Sequence, residues 1–140
     1  MKIRLSNKDI KLPIKSHLPD SGLDIFIPEA FELSSLETKT IDLGFAVAIP
    51  EGHAGIIVPR SSISQKGLII QTAVIDPDYT GNIHLIITNC SEEQIVIEKD
   101  TRVCSLVVFS VLNPYIEIVE HLESTTRGCN GLGSTGKWMS

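Results

Sequence analysis

Apolar and polar residues alternate along most of this chain with the period of two that is typical of half-buried β-strands. The alternation is strict between positions 41 and 49, which predicts one continuous strand there. The apolar face of this strand consists of Ile41, Leu43, Phe45, Val47 and Ile49. The same pattern recurs at 23–27, at 83–87 and, more briefly, at 116–118. Because no segment shows a helical stripe of about ten residues, we predict an all-β chain of roughly nine or more short strands.

Turn-forming residues separate the predicted strands at intervals that suit a β-sandwich or barrel. These turn clusters lie at 50–52, 76–81, 89–93 and 99–101. We therefore predict a single jelly-roll domain over residues 1–123. The segment 124–140 is rich in glycine, serine and threonine, which predicts a flexible C-terminal arm.

Length and charge narrow the possible classes of function. At 140 residues the chain suits one domain, and its 12 basic and 17 acidic residues give a net charge of −5. This balance argues against a general affinity for nucleic acid or anionic membranes. We find no signal peptide and no run of about 18 apolar residues, so we expect an intracellular protein of the cytoplasm or nucleus. Three cysteines without CxxC spacing and four scattered histidines indicate neither a disulfide framework nor a transition-metal site.

Two groups of polar residues in the predicted sheet suit a phosphate. Arg60, Ser61 and Ser62 follow a predicted strand and bring a guanidinium and two hydroxyls to one place, although the same residues are typical of an ordinary turn. Asp24 lies inside an alternating strand, where it either faces solvent or, beside a polyphosphate, holds Mg2+ through water. Neither group decides the function alone.

The segment from Ala73 to Gly81 is predicted to be a hairpin in which an apolar run ends at a carboxylate. Asp78 and Gly81 are explained by turn chemistry. Asp76 is either another turn residue or a general base held at the edge of a site.

The C-terminal arm contains two motifs associated with nucleotide binding that cannot work as such. A GxGxxG pattern and a GxxxxGK pattern both begin at Gly131, but each needs a following helix, and only four residues remain after Gly136. The glycines still allow backbone amides to turn toward an anion, while Arg127, Ser134 and Thr135 add donors. The arm is thus either a plain flexible terminus or a segment that closes over a phosphate.

Taken together and in order, five segments resemble the five motifs of the trimeric dUTP diphosphatases, the dUTPases, over nearly the whole chain. The segments are Ser21–Asp24, Arg60–Ser62, Ala73–Gly81, Thr101–Leu106 and Arg127–Gly136. The resemblance implies a homotrimer of jelly rolls of the β-clip type, with active sites between subunits and the arm closing over a site. It also implies Mg2+ as cofactor and hydrolysis of dUTP to dUMP and pyrophosphate.

The resemblance implies a role for each matching residue. Asp76 would activate the water that attacks the α-phosphate, Asp24 would hold hydrated Mg2+, and Tyr79 would sit against the deoxyribose and exclude a 2'-hydroxyl. The backbone that would read the uracil edge belongs to Ala73, Val74 and Ile75. Phosphate contacts are implied for Arg60, Ser61, Ser62, Ser105, Arg127, Gly133, Ser134 and Thr135.

Four positions depart from the family pattern. Leu132 stands where the arm usually stacks a phenylalanine on uracil, and Ser105 stands where a glutamine usually lies near the phosphates. Stacking on an aromatic ring is worth about 1–3 kcal/mol, so Leu132 is expected to raise KM by roughly 5- to 100-fold. Ala73 replaces a glycine, and its methyl group is expected to crowd the base pocket, while Leu23 replaces an aromatic residue. We expect a working enzyme with a looser grip on its substrate.

Two other functions remain open at this point. A non-catalytic binding or regulatory module derived from a dUTPase is suggested by Leu132 and Ser105. The presence of the matching residues argues against it, namely Asp24, Arg60, Asp76, Tyr79 and Arg127. A dCTP deaminase of the same architecture would need an acid at the base ring, and the segment before Asp76 offers no glutamate. Ammonia release from dCTP would distinguish this second alternative.

Overall fold

The computed structural model describes residues 1–130, which form eleven β-strands and one helical turn. The strands are β1 (Lys2–Leu5), β2 (Gly22–Phe26), β3 (Phe31–Leu33), β4 (Thr38–Asp42), β5 (Phe45–Ala48), β6 (His53–Pro59), β7 (Leu68–Ile70), β8 (Val74–Ile75), β9 (His84–Asn89), β10 (Ile95–Ile97) and β11 (Arg102–Ser110). The helical turn is α1 (Ser61–Ser64). The predicted all-β class and the predicted number of strands are confirmed. Within residues 1–130, no helix has the length and hydropathy that a membrane crossing requires.

The strands form four antiparallel sheets, and strands that pair with each other are mostly far apart in sequence. The largest sheet has the order β2-β11-β6-β8, and a second sheet has the order β4-β9-β7. β1 pairs with β5, and β3 pairs with β10. β11 therefore lies between β2 and β6, and side chains from distant parts of the chain meet along it.

The inner faces of these sheets enclose one hydrophobic core. Ile25, Ile27, Leu85 and Ile87 are at most 1% exposed, because alternate residues of a strand point to one face. The strands predicted at 23–27 and 83–87 are therefore confirmed. The predicted turns also separate successive strands, as at Asp100, which has a positive φ of 66° between β10 and β11.

The continuous strand predicted at 41–49 is wrong, because the chain changes direction at Gly44. Gly44 has a φ of 73° and divides β4, which pairs with β9, from β5, which pairs with β1. Leu43, Phe45 and Val47 are nevertheless buried, and so is Ile49. The alternation thus predicted which residues face the core, while the break depends on a backbone conformation that glycine allows.

The hairpin predicted from Ala73 to Gly81 is also wrong. Its turn exists, with Tyr79 N–H donating to Asp76 O at 3.2 Å. The strands on either side belong to different sheets, since β8 pairs with β6, whereas β9 pairs with β4 and β7. Local alternation cannot reveal this, because strand partners are chosen by long-range packing.

The strand expected around 116–118 is absent from the described residues. No strand lies between 111 and 130, and Ile116 and Ile118 are 83% and 96% exposed. The alternation here marks an apolar face that has no partner within residues 1–130 of this single chain. Residues 124–130 of the predicted arm are exposed, and 131–140 lie outside the described residues.

Candidate active site

Three strands and one loop bring four polar side chains to a single carboxylate, that of Asp24. Asp24 lies on β2 opposite Ser105 of β11, and Arg60 follows the end of β6. Asp24 Oδ2 accepts hydrogen bonds from Arg60 Nη1 at 2.7 Å and from Arg102 Nη1 at 3.0 Å. Ser16 Oγ donates to the same oxygen at 3.0 Å, and Ser105 Oγ donates to Oδ1 at 2.9 Å. We call these five residues the Asp24 cluster.

The charge balance of the Asp24 cluster favours an anionic ligand. Partial burial alone would raise the pKa of Asp24, but hydrogen bonds from Ser105 and Ser16 and the charges of Arg60 and Arg102 outweigh it and lower the pKa below its ordinary 3.8. Asp24 is therefore ionised at neutral pH. Two guanidinium groups against one carboxylate leave a net positive charge, which suits a polyphosphate.

The Asp24 cluster fits a metal ion held through water better than one bound directly. Among residues 1–130, no group of three or more His, Cys, Asp or Glu side chains could hold a metal ion. Asp24 Oδ2 already accepts three hydrogen bonds, whereas Oδ1 accepts one from the described residues. Two guanidinium groups also repel a free cation. The donor set would fit a hydrated divalent cation such as Mg2+ beside a polyphosphate.

Arg102 and Ser16 are members of the cluster that sequence reasoning missed as functional residues. Arg102 Nη1 also donates to Ser16 Oγ at 2.6 Å, so the two residues hold Asp24 together. Arg102 lies in Thr101–Leu106, a segment that carries the family resemblance, and this position could have identified it as a candidate site residue. Ser16 has no such signal, because its place depends on the isolated bridge between Ile14 and Asp24.

Ser61 and Ser62 stand next to the Asp24 cluster but take no part in its hydrogen bonds. They begin α1, so the residues after β6 form a helical turn instead of a simple strand-end turn. Arg60 N–H donates to Val103 O at 3.1 Å, which fixes the start of this turn against β11. Both serines are exposed and accessible to a ligand.

A second group of candidate residues surrounds a small apolar cavity of about 200 Å³ beside β8. Its lining comes from Ile57, Ala73, Val74, Ile75, Tyr79, Asn82, Ile83, His84 and Ile86. Asp76 follows β8 directly and is exposed. The Tyr79 ring lies against Gly81, where an added Cβ would approach the tyrosine oxygen to 2.5 Å. We call Ala73, Val74, Ile75, Asp76 and Tyr79 the β8 group.

Within one chain Asp76, the predicted base in the β8 group, is far from the Asp24 cluster. β8 runs antiparallel to β6 with Ile75 opposite Gly55, and Arg60, just past the end of β6, lies five residues after Gly55. At about 3.4 Å per residue, Ile75 and Arg60 are separated by roughly 17 Å, and Asp76 lies beyond Ile75 on the far side. The structure therefore brings Asp24, Arg60 and Ser105 together and places Asp76 directly after Ile75, which lines the apolar cavity, but it does not join Asp76 to the Asp24 cluster.

The remaining site residues belong to the arm. Arg127 is exposed, and its Nε donates to the backbone oxygen of Asn130 at 3.0 Å. Leu132, Gly133, Ser134 and Thr135 lie outside the described residues.

Known proteins are similar to this chain over nearly its full length. The dUTPase family model matches residues 8–136. A probable deoxyuridine 5'-triphosphate nucleotidohydrolase of Schizosaccharomyces pombe is 34% identical, with 95% of both chains covered. The corresponding enzyme of Clostridium novyi is 32% identical, with 96% of both chains covered.

Solved structures show the same fold. A dUTPase of Staphylococcus bacteriophage 80alpha, a mutant solved with dUpNHpp, superposes with a TM-score of 0.93 at 31% identity, covering 97% of this chain and 98% of that one. The dUTPase of the Staphylococcus aureus phage phi11 superposes with a TM-score of 0.83 at 28% identity over 89% of this chain and 98% of that one. From its sequence and its jelly-roll fold alike, this chain belongs to the dUTPase family.

Proposed function

We propose that the protein hydrolyses dUTP to dUMP and pyrophosphate, with Asp76 as the general base that activates water for attack on the α-phosphate. The observation that carries this proposal is the exposed Asp76 carboxylate at the end of β8, next to the apolar cavity lined by Tyr79 and residues 73–75. A base in this position lies beside the place where the nucleoside would bind. General-base catalysis of this kind contributes about 10²- to 10⁴-fold.

The edge of β8 supplies hydrogen-bonding groups for the pyrimidine. β8 is the outer strand of its sheet, and Ile57 N–H donates to Ala73 O at 3.5 Å. Because successive residues of an antiparallel strand direct their backbone groups to opposite sides, the N–H and C=O of Val74 point away from β6. This donor and acceptor suit the carbonyl and N–H of a uracil edge. The methyl group of Ala73 narrows the same pocket.

Tyr79 forms the wall of the cavity on the sugar side. Its ring lies over Gly81, and its hydroxyl donates to the backbone oxygen of Asn82 at 2.8 Å. A fixed aromatic ring against C2' leaves no room for a 2'-hydroxyl, which would select deoxyribose over ribose.

The Asp24 cluster would bind the phosphates. Arg60 and the exposed hydroxyls of Ser61 and Ser62 offer charged and neutral donors, and Arg127, Gly133, Ser134 and Thr135 of the arm would add others. The Ser105 hydroxyl donates its hydrogen bond to Asp24, so the role of Ser105 is to hold that carboxylate in place. These donors offset the negative charge that protects a polyphosphate from attack.

Asp24 would hold Mg2+ through water, with the inner ligands of the ion provided by the triphosphate. When bound, the ion neutralises phosphate charge and orients the phosphates. The protein's own contribution is the Oδ1 atom of Asp24, which still has a free lone pair among the described residues.

A homotrimer with sites between subunits would bring the two groups together. The base and the arginines must all lie within hydrogen-bonding reach of one triphosphate, which about 17 Å within a chain does not allow. A second copy would supply the β8 group to the Asp24 cluster of the first. In addition, Leu112, Tyr115, Ile116 and Ile118 are at least 83% exposed, an apolar surface that another subunit would cover.

The direct test is to incubate the protein and Mg2+ separately with dUTP, UTP, dCTP and dTTP, and to measure pyrophosphate and ammonia. We expect pyrophosphate from dUTP, at a KM raised by Leu132, and loss of turnover in Asp76→Asn. Ammonia from dCTP would assign the protein to the deaminase alternative. A folded protein without turnover of any nucleotide would contradict the proposed activity and favour the non-catalytic binding module.

A further inference from the structure

Burial does not fix the orientation of Tyr79. The residue is 42% exposed, and its ring contacts Gly81, which has no side chain to lock it in place. The one hydrogen bond of its hydroxyl among the described residues goes to the backbone oxygen of Asn82 at 2.8 Å. The position of that oxygen therefore determines where the ring lies.

Asn82 is itself tethered to parts of the chain far from the loop. Its Nδ2 lies 3.0 and 3.1 Å from the two carboxylate oxygens of Asp42 and 3.1 Å from Ser6 Oγ. Its Oδ1 accepts a hydrogen bond from Arg4 Nη2 at 3.3 Å. The side chain thus joins the turn after Asp76 to β1, to the segment that follows β1 and to the end of β4.

Backbone hydrogen bonds also hold Ile83, the residue that follows Asn82. Ile83 N–H donates to Phe45 O at 2.8 Å, and Leu43 N–H donates to Ile83 O at 2.9 Å. The Ile83 N–H belongs to the same planar peptide as the Asn82 oxygen, so its bond to Phe45 holds the nitrogen end of that peptide. The side-chain tethers hold the Cα of Asn82, which is the other end of that peptide, and both ends together determine where the oxygen bonded to Tyr79 lies.

We propose that Asn82 is a positioning residue for Tyr79 and thereby determines how strongly the site discriminates deoxyribose from ribose. The inference rests on the proposed function, in which Tyr79 lies against the sugar. Without the tethers of Asn82, this peptide is held at its nitrogen end alone, so its oxygen moves and the ring no longer occupies the space of a 2'-hydroxyl. Asn82 touches no reacting atom in this scheme and acts only through Tyr79.

The test compares kcat/KM for dUTP with kcat/KM for UTP in the wild type, in Asn82→Ala and in Asn7→Ala. We expect the preference for dUTP to fall by about tenfold in Asn82→Ala. Asn7→Ala is the matched control, because Asn7 bonds only the nearby Asp9 N–H among the described residues, and it should keep the preference. Loss of folded protein cancels in this ratio, so a purely structural role of Asn82 would leave it unchanged.

A double-mutant cycle with Tyr79→Phe tests the route of the effect. Removal of the tyrosine hydroxyl breaks the link to Asn82, so Asn82→Ala should lower the preference no further in that background. An unchanged ratio in Asn82→Ala, or additive losses in the double variant, would overturn the proposal.

Equilibrium binding of dUMP and UMP gives a readout that does not need hydrolysis. We expect Asn82→Ala to weaken the preference for dUMP in the same way as it weakens the preference for dUTP. A protein that turns over no dUTP but binds dUMP better than UMP would contradict the proposed catalysis and leave the role of Asn82 measurable. Equal binding of dUMP and UMP by the wild type would overturn that role as well.

Discussion

Asn89 is the only polar residue among the described ones that is buried, with no exposed surface. The two N–H groups of its Nδ2 are shared among the backbone oxygens of Leu33, Ser34 and Glu93 at 2.7–3.1 Å. Its Oδ1 accepts from both the N–H and the hydroxyl of Ser91. One side chain therefore satisfies three carbonyl groups and organises the turn between β9 and β10.

We expect Asn89→Ala to lower the free energy of unfolding by at least about 1–3 kcal/mol, because buried carbonyl groups lose their donors. Asn89→Asp should be as harmful, since a carboxylate cannot donate to those oxygens. Urea unfolding against Asn7→Ala, an exposed asparagine, measures the difference. Equal stabilities of Asn89→Ala and Asn7→Ala would show that the network is dispensable.

The lowered pKa of Asp24 predicts a pH dependence of stability. Burial by itself raises this pKa, but Ser105, Ser16, Arg60 and Arg102 lower it below the ordinary value of 3.8. A lowered folded-state pKa stabilises the protein above the unfolded pKa, and this contribution is lost as the pH falls through the folded value. The advantage of the wild type over Asp24→Asn should therefore be largest near neutral pH and shrink below about pH 3.8. Urea unfolding across that range measures the advantage, and a gap that widens in acid would contradict the assignment.

At the scale of elements, two glycines with the same backbone conformation differ in their surroundings. Gly44 and Gly52 both have a φ of 73°. A Cβ at Gly44 would lie 2.6 Å from Ile10 Cδ1, whereas a Cβ at Gly52 would meet nothing within 4 Å. Glycine is therefore favoured at position 44 for two reasons, the positive φ and the lack of space for a Cβ next to Ile10.

We expect Gly52→Ala to cost about 1–2 kcal/mol for the left-handed conformation alone. Gly44→Ala should cost about 1 kcal/mol more, because Ile10 has to move. Adding Ile10→Val removes the closest atom and should recover part of the extra loss, as measured by chemical unfolding. Equal costs for the two glycine variants would mean that Ile10 moves freely.

The same elements explain what the sequence could and could not predict. Burial followed the alternation, so Leu43, Phe45 and Val47 were correctly assigned to the core even though the strand breaks at Gly44. Pairing partners were not predictable, because the link of β8 to β6 depends on packing of the whole sheet. Arg102 reaches Asp24 through the register of β11 against β2, and the residue pattern within one strand does not predict that register.

At the scale of the whole molecule, the separation of the β8 group from the Asp24 cluster predicts subunit complementation. Asp76→Asn and Arg60→Gln should each be inactive alone. In trimers assembled from an equal mixture, roughly a quarter of the sites would pair an intact Arg60 with an intact Asp76 from a neighbour. Activity should therefore return when the two variants are unfolded and refolded together, and not when each is refolded separately. A mixture that stays inactive would contradict sites shared between subunits.

On the proposed assembly, the roughly 17 Å between Ile75 and Arg60 makes each active site depend on two copies of the chain. A solitary subunit would hold an arginine cluster without a base and a base without an arginine cluster, so turnover would belong to the associated form alone. Specific activity should then fall on dilution below the concentration at which the copies separate, and saturating dUTP, by bridging two subunits, should delay that fall. The cellular concentration of this protein would then determine its specific activity as well as the number of molecules.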